Sequence, residues 1–247
     1  MSGSSPHNAV QVPALIAQIK AGDTRAVSRT ISLLESNHPD SPAILQTLAS
    51  SPPQSTIIGI TGYPGAGKST LIAQLTTVYR AQGETVGILA VDTSSPLSGG
   101  AILGDRIRMQ EHWLDNHVYI RSMATRGHHG GLARATGNAI QVLNAAGYDK
   151  VLIETVGVGQ EEGEITQLAH VVIAVVAPGL GDEIQAMKAG LFEVADLVVV
   201  NKADQPSADS TIQTLREWVP HVLPAIAVKG EGIQEIVKAI TQHQLTV

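Results

Sequence analysis

Ile57-Ile58-Gly59-Ile60-Thr61-Gly62-Tyr63-Pro64-Gly65-Ala66-Gly67-Lys68-Ser69-Thr70 decides how the chain is read. Its apolar opening suits a buried strand, and Gly62 to Ser69 completes the pattern G-x-x-x-x-G-K-[ST] ahead of an amphipathic helical stretch. Glycines in this pattern let successive backbone N–H groups converge on a phosphate, and the following helix N-terminus favours its negative charge. Lys68 adds a point charge toward the β- and γ-phosphates, and the Ser69 hydroxyl is a ligand for Mg²⁺. Gly62, Tyr63, Pro64, Gly65, Ala66, Gly67, Lys68, Ser69 and Thr70 therefore form a candidate cradle for a nucleoside triphosphate. The bland alternative is a chance glycine-rich strand-to-helix turn. A complete pattern, with strand and helix in place on either side, argues against it.

Outward from this stretch the rhythm is strand, glycine-rich turn, helix. Strands are expected at Thr56 to Thr61, Thr85 to Val91, Val118 to Arg121, Lys150 to Glu154, Val171 to Val176, Leu197 to Asn201 and Ala225 to Val228. Continuous apolar runs such as Leu197-Val198-Val199-Val200 suit strands covered on both faces by crossover helices. Helices are expected at Ser69 to Gln82, Gly131 to Ala146, Thr211 to Trp218 and Gly232 to Gln242. The alternation predicts an α/β fold with a doubly wound, mostly parallel sheet and ligands at the carboxyl ends of its strands. Residues 1–53 read as a helical extension, and 54–247 as the nucleotide-binding domain. Within the extension, Gly22 can end one helix and Asp23 cap the next, and Pro42 to Ala49 offers a third.

Three further strand ends carry polar residues. Asn201-Lys202-Ala203-Asp204 has the N-K-x-D arrangement, in which a carboxylate accepts hydrogen bonds from the ring N–H and exocyclic amine of guanine. Adenine would leave that carboxylate poorly paired. Asn201 can bond the base and brace the phosphate loop, and the Lys202 stem can pack over the ring. Asp92 and Glu154 end two other strands, where carboxylates can hold the waters that Mg²⁺ retains. Gly157 can offer its N–H to the γ-phosphate, so that its loop orders with the triphosphate. The bland reading makes Asp92 and Glu154 caps of turns or helices. Spacing alone leaves Asp105 open between a helix cap and a site residue. His128 and His129 read as loop histidines, with no third metal ligand evident.

Composition removes other classes. The 247 residues are 43% hydrophobic and 15% charged, enough apolar material for a sizeable core. A net charge of −6 without a basic run argues against nucleic acid or anionic lipid as partner. The absence of cysteine excludes disulfides, thiolate metal sites and cysteine nucleophiles. No basic leader followed by an apolar core opens the chain, and no apolar run approaches the ~20 residues that span a bilayer. The expectation is a cytoplasmic protein.

Together, Gly62 to Thr70, Asp92-Thr93-Ser94-Ser95-Pro96, Ser98 to Asp105, Glu154-Thr155-Val156-Gly157-Val158-Gly159-Gln160, Pro178 to Gln185 and Lys188-Ala189-Gly190 resemble the methylmalonyl-CoA mutase-associated G-protein chaperones (MeaB or ArgK type). The resemblance extends over nearly the whole chain. It implies a GTPase, using GTP/GDP and Mg²⁺, that binds an adenosylcobalamin-dependent acyl-CoA mutase and gates cofactor loading or protects that enzyme. By the same match Ser69, Asp92, Asp105 and Glu154 would surround the Mg²⁺. Lys68, Glu154 and Gly157 would serve hydrolysis, and Asp182 and Lys188 would lie on a mobile loop through which the partner tunes it. Gly62 to Thr70, Asn201, Lys202, Asp204 and the Ala227 backbone would hold the nucleotide. Gln160, Arg108 and Arg126 are candidates for completing the hydrolytic site. Three departures stand out: Thr93 replaces a usual proline, Ile226 replaces the serine of a usual Ser-Ala pair, and the chain ends at Val247. A helical dimerisation extension found in relatives is thus expected to be absent, and a homodimer would have to form without it.

Two other functions share the nucleotide loop. A nickel-delivery GTPase would need a transition-metal site, for which a chain without cysteine and with scattered histidines is poorly supplied. A small-molecule kinase would need an acceptor pocket and a base, and the guanine-type motif speaks against it.

Overall fold

The computed structural model describes residues 10–52, 54–92, 112, 114–124, 131–155, 165–179 and 190–245; of Asp92, Ala124 and residues 131–133 it describes the backbone alone. Among the described residues, seven strands form one sheet in the order β3-β2-β4-β1-β5-β6-β7. They are β1 (Thr56–Thr61), β2 (Val86–Asp92), β3 (Val118–Ala124), β4 (Lys150–Glu154), β5 (Val171–Val176), β6 (Leu197–Val200) and β7 (Val222–Pro224). Among the described residues every neighbouring pair is parallel, in keeping with the expected doubly wound, mostly parallel sheet.

Helices cover both faces, which is why the strands are apolar on both sides. On one face α4 (Lys68–Ala81) and α8 (Ile233–Gln244) pack Leu71, Ile72, Leu75, Ile236 and Ile240 onto Ile58, Ile60 and Leu152. On the other, α5 (Gly131–Ala145) lays Ala139, Val142 and Leu143 against Ile57, Val151 and Ile153. Two shorter helices, α6 (Leu191–Val194) and α7 (Ala208–Arg216), cover β5 and β6 through Leu191, Phe192, Ile212 and Leu215.

The amino-terminal segment folds as α1 (Val12–Lys20), α2 (Thr24–Glu35) and α3 (Ser41–Leu48). Gly22 takes a left-handed φ of 77°, and the Asp23 carboxylate accepts from the Arg25 and Ala26 N–H groups to cap α2. The three helices share one hydrophobic cluster with α5 and the sheet through Ile16, Ile19, Val27, Ile31 and Ile44. A polar seam also joins α2 to β3. Arg121 pairs with Glu35 and donates to Ser32 Oγ at 3.1 Å, and the Ser28 and Tyr119 hydroxyls meet at 3.2 Å.

One expected strand is displaced. Residues 222–224, not Ala225 to Val228, pair with β6, and Ala227–Lys229 forms a 3₁₀ turn. Gly230 and Gly232, at φ of 72° and 81°, reverse the chain so that Ile226 bridges back to Glu231. Pro224 lacks an N–H, but β7 is an edge strand and loses little by it.

Candidate functional site

Thr61, Glu154, Val176 and Val200 end four adjacent parallel strands, so the loops that follow them share one edge of the sheet. From the central β1 the chain crosses to β2 on one side; from β4 it crosses to β5 on the other. This reversal of strand order is where ligands enter open α/β sheets.

After β1 the loop is bent by Gly62, Gly65 and Gly67, at φ of 138°, 82° and 96°. Two of these positions are closed to any side chain. A Cβ on Gly62 would lie 2.1 Å from the Val175 carbonyl oxygen, and one on Gly67 would lie 2.2 Å from Asn201 Nδ2. Gly67 caps α4 without a side-chain hydrogen bond, so no capping side chain occupies the amino end of the helix. The Lys68 ammonium is buried and donates to the carbonyl oxygens of Gly62 at 2.7 Å and Tyr63 at 3.2 Å. It is thereby held across the mouth of the loop.

Ser69 and Glu154 meet there, from α4 and β4. The Ser69 hydroxyl donates to Glu154 Oε1 at 2.8 Å, and both residues are buried. A hydroxyl and a carboxylate beside a phosphate loop are the hard oxygen donors that Mg²⁺ takes, so this donor set fits the ion. Asp92 ends β2, two residues beyond the Ala90 that pairs with Glu154, which puts its backbone at the same edge.

Asn201-Lys202-Ala203-Asp204 follows β6, Asn201 being the first loop residue and not the last of the strand as expected. Its buried side chain joins three segments. Nδ2 donates to the Ala66 carbonyl at 2.9 Å, and Oδ1 accepts from the Ala227 N–H at 3.0 Å. The expected brace of the phosphate loop is therefore present as geometry, and the Ala227 N–H is engaged in it. Lys202 adopts a left-handed φ of 58°, which costs a non-glycine residue on the order of 1–2 kcal/mol. Its ammonium donates to the Gly65 carbonyl at 2.8 Å. The Ala203 N–H bonds the Ala225 carbonyl at 3.0 Å, tying this turn to the 3₁₀ segment.

Asp204 presents a half-exposed carboxylate on the same turn. Lys229, at the end of the 3₁₀ segment, donates to its Oδ2 at 3.2 Å. Sequence reasoning missed Lys229, and no signal marks it, because only the reversal at Gly230 brings it to Asp204. Tyr63, Pro64 and Thr70 sit on the phosphate loop or at the start of α4, as their positions dictate. Asp105, Gly157, Asp182, Lys188, His128, His129, Gln160, Arg108 and Arg126 lie outside the described residues. Among the described residues, no group of three or more His, Asp or Glu side chains could hold a metal ion, and no helix is long and apolar enough to cross a membrane.

Comparison with known proteins agrees with this arrangement. The family described as methylmalonyl Co-A mutase-associated GTPase MeaB matches residues 27–247. A relative from Pyrococcus abyssi is 47% identical over 243 residues, covering 93% of this chain and 75% of its own. GTPase ArgK of Escherichia coli strain K12 is 37% identical over 243 residues, covering 91% of this chain and 73% of its own. Among solved structures, a crystal structure of LAO/AO transport system kinase superposes with a TM-score of 0.74 at 30% identity, covering 98% of this chain and 77% of the other. A P-loop and an N-K-x-D turn on one edge of a parallel sheet, with this family match across most of the sequence, mean that the chain belongs to the MeaB family of P-loop GTPases.

Proposed function

We propose that this GTPase acts as a nucleotide-timed chaperone of an adenosylcobalamin-dependent acyl-CoA mutase, gating cofactor loading or protecting the enzyme. The observation that supports this most is the match of residues 27–247 to a family described by its association with methylmalonyl-CoA mutase. In this reading Asp204 selects guanine by accepting from its ring N–H and exocyclic amine. Lys68 exchanges its carbonyl partners for β- and γ-phosphate oxygens, and the amides of Gly65 to Ser69 hold the β-phosphate. Ser69 and Glu154 would hold Mg²⁺, with Asp92 at the end of β2 and Asp105 also contributing, and the ion would supply charge neutralisation on the phosphates. Water attacks the γ-phosphorus, the bond to the bridging oxygen breaks, and GDP and phosphate leave. Gly157, Asp182 and Lys188 belong to segments whose order would depend on nucleotide and partner.

The test is GTP turnover by the purified chain with and without a methylmalonyl-CoA mutase from the same organism. Complex formation under a GTP analogue and under GDP is followed in parallel. The expected result is slow turnover alone, acceleration by about tenfold or more with mutase, and a complex that differs between nucleotides. Unchanged turnover together with no complex under either nucleotide would overturn the mutase role.

A second reading is γ-phosphoryl transfer to a small acceptor, because a structural relative at 30% identity is described as a transport system kinase. Label from γ-labelled GTP arriving on arginine, ornithine or a similar acceptor instead of inorganic phosphate would favour it. The nickel-delivery alternative gains nothing from the described residues and would require tight Ni²⁺ binding in a metal titration.

A further inference from the structure

Of the cations around the base-reading turn, Lys202 is directed away from Asp204, to the Gly65 carbonyl at 2.8 Å. Lys229 alone meets the Asp204 carboxylate, at 3.2 Å from Oδ2. Among the described residues it is the only hydrogen-bond partner of that side chain. The two residues sit on segments already tied together twice, by Ala203 N–H to the Ala225 carbonyl and by Ala227 N–H to Asn201 Oδ1, both at 3.0 Å. The backbones are therefore fixed relative to one another, and the ion pair adds the missing restraint on the carboxylate itself.

A carboxylate offers about four acceptor positions on two oxygens. Lys229 uses one on Oδ2, and the edge of guanine needs one on each oxygen. The lysine and the base can thus be bound together. An immobilised acceptor loses less freedom when the base arrives, which strengthens binding through pre-organisation. We infer that Lys229 is a positioning residue for base selection, holding the Asp204 carboxylate in the orientation that accepts both guanine donors at once. This rests on the reading that Asp204 takes the base. Because the pair is exposed on both sides, its effect is small and screened by salt.

The experiment compares dissociation constants for GDP and for inosine diphosphate, which keeps the ring N–H and lacks the exocyclic amine. It uses the full chain and Lys229→Ala, Lys229→Arg and Asp204→Ala, at low and high salt, with urea midpoints as a check on folding. At low salt Lys229→Ala is expected to reduce the GDP-over-IDP preference about two- to fivefold, the range an exposed ion pair supports. Lys229→Arg should restore most of it, and high salt should bring the unaltered chain toward Lys229→Ala. A merely structural lysine would shift the urea midpoint without changing the nucleotide ratio. An unchanged ratio in Lys229→Ala, or a raised one, overturns the inference while Asp204→Ala still abolishes the preference. If Asp204→Ala itself keeps the full preference, the base assignment fails instead, and the role of Lys229 falls with it.

Discussion

Replacing Asn201 with alanine separates two roles that its side chain was expected to combine. If it only read the base, the nucleotide-free protein would be indifferent to its loss. The structure instead shows a buried amide donating to the Ala66 carbonyl and accepting from the Ala227 N–H. Both of those residues are themselves buried. Asn201→Ala deletes two hydrogen bonds and strands a backbone acceptor and a backbone donor, each costing about 1–3 kcal/mol when left unmade. Partial entry of water lowers the sum, giving about 3 kcal/mol of lost stability without nucleotide. For a domain of this size that corresponds to a fall in Tm of roughly 6–12 °C. Urea unfolding followed by far-UV circular dichroism, with calorimetry alongside, measures both quantities. GDP should also bind more weakly, since the phosphate loop loses its tie at Ala66. Asn201→Asp should be no milder, because it places a carboxylate oxygen against the Ala66 carbonyl. A Tm within about 1 °C of the unaltered protein, with GDP affinity intact, would refute the brace.

Gly62 and Gly65 share left-handed backbone but differ in surroundings. Gly62→Ala drives a Cβ into the Val175 carbonyl and should cost on the order of 3–5 kcal/mol, whereas Gly65→Ala meets nothing within 4 Å and should cost about 1–2 kcal/mol from its backbone alone; thermal unfolding of the pair checks the contrast. The Arg80 side chain, hydrogen-bonded to Asp115 at 2.8 Å, holds that carboxyl below its ordinary range, so its contribution is present at neutral pH and lost as pH falls from about 4 through the lower folded value. Asp115→Asn should therefore flatten the acid limb of stability and leave the alkaline limb untouched. Burial, and secondarily Tyr119, pushes the Tyr148 phenol up to about 12. Its contribution is complete below about pH 10 and lost as pH rises toward 12, so Tyr148→Phe should flatten the alkaline limb in the same unfolding series.

Much of this architecture was legible in the chain because its strands are short apolar runs between strong punctuators. The bounds of β1, β4 and β5 agree with the sequence expectation residue for residue: β1 stops before Gly62, β4 at Glu154 ahead of Thr155, and β5 immediately ahead of Ala177-Pro178. The last strand was misplaced because β7 is three residues long, ends in Pro224 and carries no alternation. The more apolar Ala225 to Val228 reads as a strand, but left-handed Gly230 and Gly232 turn that segment into a 3₁₀ reversal. The single turn α6 is too short for any periodicity. At the site, the glycine-rich pattern marked Lys68 and Ser69 at the start of α4, and polar residues closing apolar runs marked Glu154 and Asn201; the structure brings all four to one edge of the sheet. Lys229 stayed hidden because a lysine in a turn has no pattern, and its contact depends on how the chain comes back.

The central claim is a guanine-selective nucleotide site built from the loop at Gly62 to Ser69 and the turn at Asn201 to Asp204. Titration of GDP and ADP against the unaltered chain and Asp204→Asn, in Mg²⁺, tests it most directly. GDP should bind at least ~100-fold more tightly than ADP, because adenine leaves the Asp204 carboxylate poorly paired, and Asp204→Asn should remove most of that margin. Equal affinity for the two nucleotides in the unaltered chain, or full preference surviving in Asp204→Asn, would contradict it.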